Sequence, residues 1–163
     1  MASILMAKMQ ERGVLDFDEK VTTYWPEFGK NGKAHLTVAD IMRHEGGLHN
    51  LHKTLEASDL WSENLSNNNV GEIIENDTGI WNEPENLSRK YHGSSRDWIS
   101  NEIFRRVELE GKTMAEFLRN EFPDLDVYSG IEDLEVLKKF QDDSNVALQD
   151  DQNYIFQPPV SPY

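Results

Sequence analysis

A mainly α fold is predicted from three features of the sequence. Thr37-Val-Ala-Asp40 and Thr113-Met-Ala-Glu116 are helix-starting patterns, a hydroxyl residue followed three places on by a carboxylate that can return a hydrogen bond to the backbone. Apolar residues recur at helical spacing, as at Ile99, Ile103 and Val107. No run of alternating apolar and polar residues is long enough to build a sheet.

Taken in order, Ala2 to Arg12 is rich in strong helix formers and Gly13 supplies a stop, so a helix of about three turns is predicted there. Val14 to Asp18 and Val21 to Phe28 read as an extended connection, because Pro26 disfavours helix at Trp25. The Thr37 box starts a short helix that turns Leu36, Ile41 and Met42 to the core and ends at Gly46-Gly47. Between 54 and 87 the signals conflict: Thr54 to Glu63 is helix-compatible, whereas Asn67-Asn68-Asn69 and Asn76-Asp77-Thr78-Gly79 are breakers.

Ser94 or Ser95 caps a helix carrying Ile99, Ile103 and Val107, with Trp98 and Phe104 beside them. The Thr113 box opens another, with Met114, Phe117, Leu118 and Phe122 inward and Pro123 as its end. Ile131, Leu134, Leu137 and Phe140 predict a further helix from Gly130 to Asp142, its N-terminal dipole met by Glu132, Asp133 and Glu135. Residues 1–142 thus form one helical region, and 143–163 an acidic and then proline-rich extended tail.

Composition narrows the function. A formal net charge of −14 leaves no clustered Lys and Arg to neutralise phosphates, so nucleic acid is not expected as a partner, nor an anionic membrane. No apolar stretch reaches the roughly 20 residues of a membrane span, and the N-terminal segment lacks the basic region of a signal peptide. A soluble, intracellular protein is expected. The chain has no cysteine, which removes disulfides, thiolate metal sites and a thiol nucleophile. Its 30 acidic residues single out no acid–base pair, and most of them read as a solvated face.

His44, His49 and His52 are the one cluster that could be read as a metal site. The spacing argues against it: a zinc protease places its histidines four apart on a helix, whereas here they are five apart with two glycines between. They are read as hydrogen-bonding loop histidines, and no cofactor is expected. Gly111-Lys112-Thr113 lacks the earlier glycine of a phosphate-binding loop, since Arg106 stands there, and is taken as the entry to a capped helix.

Three segments resemble the β-lactamase-related serine hydrolases, the penicillin-binding-protein-like and esterase-like family that includes mitochondrial members. Met9-Gln-Glu-Arg-Gly-Val-Leu-Asp-Phe-Asp-Glu-Lys-Val21, with Tyr24-Trp-Pro-Glu-Phe28, is similar to the family's helix end and its following connection. Leu36-Thr-Val-Ala-Asp-Ile-Met-Arg-His-Glu-Gly-Gly-Leu48 resembles the pattern I-T-x-x-x-L-L-x-H-x-S-G-L, Gly46 standing where the family has a small residue. Tyr91-His-Gly-Ser-Ser-Arg-Asp-Trp-Ile-Ser-Asn-Glu-Ile-Phe-Arg-Arg-Val107, continuing through Gly111-Lys-Thr-Met-Ala-Glu-Phe-Leu118, resembles the tyrosine loop and the helix pair after it.

The resemblance implies the helical subdomain of the β-lactamase/transpeptidase-like fold without most of its sheet. It makes Tyr91 the counterpart of the catalytic tyrosine, which relays a proton between serine and leaving group. The family's nucleophile is a serine three residues before a lysine, and these 163 residues contain no Ser-x-x-Lys. The late Lys-Thr-Gly or His-x-Gly strand element has no counterpart after Tyr91 either. The expectation is therefore a truncated, non-catalytic member, with Tyr91 vestigial or conditional, serving as a structural or interaction subunit whose apolar face is covered by a protein partner. The alternative is a serine hydrolase whose Ser-x-x-Lys comes from another chain or an upstream segment. The resemblance admits a mitochondrial location.

Overall fold

The computed structural model describes residues 1–79 and 89–125, of which 57% are helical and 2% strand. A mainly α chain is what the capping boxes and stripes predict. The helix expected at 130–142 and the tail from 143 lie outside the described residues.

Helix α1 (Ala2–Glu11) buries Ala2, Leu5, Met6 and Met9, one stripe at helical spacing, and Gly13 takes φ +72° in the turn beyond it. Val21 to Phe28 is not extended as predicted. Val21–Tyr24 is a short helix, α2, and Pro26–His35 forms 3-10 turns on either side of a kink at Lys30–Gly32. Trp25 alone keeps the non-helical backbone that the following proline imposes, and Pro26 then opens the next turn, where a missing N–H costs nothing. An isolated antiparallel bridge between Lys20 and Thr37 closes this excursion.

Helix α3 (Val38–Met42) has the capping box as read: Thr37 Oγ1 accepts from Asp40 N–H at 3.1 Å, and Thr37 N–H donates to Asp40 Oδ2 at 2.9 Å. It ends earlier than Gly46-Gly47 suggests, because His44 itself enters the left-handed region at φ +64°. A 3-10 turn (Ala57–Leu60), α4 (Ser62–Ser66) and α5 (Asn69–Asn76) occupy the region of conflicting signals. Here the asparagine run begins a helix as well as ending one. Asn68, at φ +69°, lets α5 turn Val70, Ile73 and Ile74 inward.

Helix α6 (Ser95–Val107) is the hub, packing against α1, α2, α3, α5 and α7 (Met114–Glu121). Ile99, Ile103 and Phe104 are fully buried on it, and Phe104 meets Phe117 of α7 edge to face at 5.2 Å between ring centroids. Asn101 Oδ1 accepts from Met114 N–H at 2.9 Å and so fixes where α7 begins.

Not all the carboxylates form a solvated face. Glu75 and Glu102 are buried, and with Trp25, Lys30, Asn68, Arg105 and Arg106 they form a polar network inside the helical core. Trp25 Nε1–H donates to Glu75 Oε1 at 2.9 Å, while the Arg106 guanidinium lies over the same indole at 4.1 Å. Glu102 Oε2 accepts from Arg105 and Arg106 at 2.7 and 2.6 Å. Asn68 Oδ1 accepts from both arginines, an approach that requires Gly71: a Cβ there would lie 2.1 Å from that oxygen. Lys33, fully buried, donates to the backbone carbonyls of Glu75 and Asp77. Burial pushes its ammonium down to about 8.

Candidate active-site loop

The sequence directs attention to Tyr91 and to three histidines. Tyr91 stands just before α6, 78% exposed, with its ring 5.0 Å from that of His44 and tilted by 43°. The ring lies over Gly93, where a Cβ would come within 3.0 Å of Tyr91 Cε1. The glycine is thus a spatial requirement for this pose of the tyrosine.

Residues 89–92 are joined to the turn after α3 by four links. Arg89 pairs with Glu45 at 2.9 Å, and Lys90 N–H donates to His44 O at 3.2 Å. His92 N–H donates to His44 Nδ1 at 3.0 Å, and Leu48 N–H donates to His92 Nε2 at 3.0 Å. Glu45 also accepts from Arg43 at 2.7 Å, and hydrogen bonds from Arg43 and then Arg89 hold its carboxyl below the usual range. The turn bends at two left-handed residues, His44 and Gly47 (φ +65°), and brings Gly46 beneath the His92 ring.

Hydrogen bonding settles the protonation of His92. Its Nε2 accepts from an amide, so its proton sits on Nδ1, which donates to Lys90 O at 2.6 Å. Only the neutral ring satisfies both. The residue is 1% exposed; burial first, then nearby His44, His49 and Arg96, outweigh the Lys90 carbonyl and lower its pKa. His44 accepts on Nδ1 and has Arg96 Nη1 3.4 Å from Nε2, so burial and that guanidinium lower its pKa as well.

The three histidines of the sequence cluster do not stay together. His44 and His49 flank His92, at 5.7 and 6.0 Å between ring centroids. His52 turns away to Asp77, whose Oδ2 accepts from His52 N–H at 2.6 Å and lies 3.1 Å from His52 Nδ1. Among the described residues no group of three His, Cys, Asp or Glu side chains could hold a metal ion. His92, Gly93 and Arg96 carry the geometry around Tyr91 without having been given a role from sequence; the available signal was their adjacency to the tyrosine.

The sequence model of the beta-lactamase family matches residues 1–127. The chain belongs to the beta-lactamase family. Among curated proteins it is 32% identical over 123 residues to the esterase/beta-lactamase LipL of Mycobacterium tuberculosis, covering 74% of this chain and 26% of that relative. Among solved structures it is similar to a penicillin-binding protein homolog from Caulobacter crescentus, with a TM-score of 0.67 and 26% identity over 82% of this chain and 35% of the other. A family VIII carboxylesterase superposes with a TM-score of 0.59 and 26% identity, over 71% and 30%. The chain therefore spans about a quarter to a third of these beta-lactamase-family relatives. Its relationship is to serine hydrolases and esterases, and its fold is a mostly helical portion of theirs. No helix among the described residues is long and apolar enough to cross a membrane.

Proposed function

We propose that these 163 residues constitute a non-catalytic module of the beta-lactamase family, one that carries the tyrosine loop and acts as a structural or interaction component of a larger assembly. The observation that carries this reading is chemical: Tyr91 is presented to solvent, yet no Ser-x-x-Lys accompanies it anywhere in the sequence. A phenol can relay a proton but needs a serine hydroxyl to relay it for, and an unactivated serine is a weak nucleophile.

A protein partner is the second part of the proposal. Ile4 on α1, Trp61 before α4 and Leu109 after α6 are 68%, 60% and 91% exposed, and a partner would cover such side chains. An intracellular setting completes this reading, in keeping with the absence of cysteine.

Incubating the purified protein with a fluorescent penicillin and with an activated ester, followed by intact-mass measurement, tests it. No adduct is expected on this chain, and an acyl group on one of its own side chains overturns the reading. Sedimentation tests the partner: self-association, or co-purification with a stoichiometric second chain, supports it, and a well-behaved isolated monomer counts against it. A second reading, a serine hydrolase completed by a Ser-x-x-Lys on another segment or chain, is favoured by the four links that hold the Tyr91 loop in place. Covalent labelling of an associated polypeptide in the native complex would select it.

A further inference from the structure

We propose that His92 is the positioning residue of the tyrosine loop: its neutral ring bridges Lys90 O and Leu48 N–H and thereby fixes Tyr91 against the turn formed by residues 44–48. The inference rests on reading Tyr91 as the family's loop tyrosine, but not on whether the chain turns over.

The geometry is restrictive. The bridge needs a side chain with a donor and an acceptor on opposite sides of a planar ring, at 2.6 Å from one backbone group and 3.0 Å from another. The turn brings Gly46 against the ring: a Cβ at this position would make ordinary contact with His92 Nε2 at 3.6 Å and would lie 2.7 Å from Ile41 Cδ1, the end of a side chain that would have to shift. With the ring in place, the backbone N–H of His92 reaches His44 Nδ1, and the His44 ring, so oriented, becomes the wall on which Tyr91 rests at 5.0 Å. Beyond the peptide bond that joins them, His92 acts on the tyrosine ring through His44.

Among the described residues, the ionisable groups that act on His92 are His44, His49 and Arg96. The two imidazoles add positive charge only on protonation, Arg96 is already charged, and no carboxylate is among them. Protonation at Nε2 would set a donor against the Leu48 N–H donor and open the bridge.

Nuclear magnetic resonance of the protein as it stands tests this. In the unsubstituted chain, 15N correlations of His92 should show the Nδ1–H tautomer. His92→Phe should raise the exchange rate of the Leu48 amide by about tenfold or more, the loss expected for a buried bond of ordinary strength. It should also shift the Tyr91 ring protons away from the field of the His44 ring, while amides at Ile103 and Phe104 keep their protection. His92→Gln, which retains an acceptor near Nε2, should leave Leu48 within about threefold of the unsubstituted rate. An Nε2–H tautomer, or Leu48 exchange and Tyr91 shifts that ignore His92→Phe, overturns the proposal. Should His92→Phe fail to fold, the tautomer and His92→Gln decide alone. Because no readout involves acylation, an adduct found in the test above sinks the non-catalytic reading and leaves this one standing.

Discussion

Trp25 and Glu75, fifty positions apart, share a hydrogen bond of 2.9 Å between the indole N–H and a carboxylate that is 6% exposed. The bond joins the first third of the chain to α5. It also sets the electrostatics of the core, because Glu75 answers Lys30 at 3.2 Å and Arg106 at 3.8 Å. Burial raises the carboxyl's pKa, but donors from Trp25, Asn68 and Lys30 together hold it below its ordinary value.

Glu75→Gln keeps the shape and an acceptor for the indole while removing the charge. Arg106 would then lie partly buried with less compensation, and a loss of about 2–4 kcal/mol is expected in urea unfolding. Trp25→Phe, which removes the indole donor and narrows the aromatic surface under Arg106, should cost a similar amount. The double substitution should cost less than the sum, since both changes act on one network.

Stability should rise at alkaline pH through Lys33. Its folded-state pKa, about 8, lies below the ordinary lysine value, so between these two values the unfolded chain binds more protons and folding gains as pH increases. Denaturation midpoints measured from pH 7 to 10 should therefore climb relative to Lys33→Met, whose profile lacks this component. Parallel profiles for the two proteins would refute the assignment.

At the acid end the histidines act with the same sign. His92 and His44 have pKa values lowered by burial, so the folded state takes up protons less readily than the unfolded chain. Their contribution is complete above the ordinary histidine value, near 6.5, and is lost as pH falls below it. Midpoints between pH 7 and 5 should drop, and less steeply in His92→Gln.

The capping box of α7 is a local test of the fold. Thr113 Oγ1 accepts from Glu116 N–H at 3.2 Å, and Glu116 Oε2 accepts from Thr113 N–H at 2.7 Å. Thr113→Ala should cost about 1 kcal/mol, and Thr113→Ser much less. Thermal unfolding would resolve the difference.

Tyr91→Phe should leave stability within about 0.5 kcal/mol, because the ring is exposed and the substitution keeps its carbon frame. If the native complex acylates a partner, the same substitution should slow that step by about 100-fold or more, as loss of a proton relay does. Unaltered labelling would show that Tyr91 has no part in it.

What could be read in the sequence was local. Thr37 and Thr113 announce their helices because a capping box needs only four consecutive residues, and Gly13 marks its stop for the same reason. Asn67-Asn68-Asn69 misled because a left-handed asparagine can start a helix as well as end one; only the burial of Val70 and Ile74 decides which. Glu75 and Glu102 do not stand out among 30 acidic residues, because their partners, Trp25 and Lys30 for the first, Arg105 and Arg106 for the second, become visible only once the chain is folded or its helices are placed. At the site, the family pattern singles out Tyr91. His92 is hidden because its meaning lies in Leu48, 44 positions away, while His52, read as a hydrogen-bonding loop histidine, has its partner in Asp77, 25 positions away.

Helix α1 finds its main support on α6, and Arg12 at its end reaches α7, pairing with Glu121 at 3.0 Å and lying over Phe117 at 5.0 Å. During synthesis on the ribosome, Leu5, Met6 and Met9 emerge long before the side chains that shelter them have been translated. Helix α1 therefore waits for α6, and through that interval it is an oily, unpaired stripe of the kind that chaperones hold.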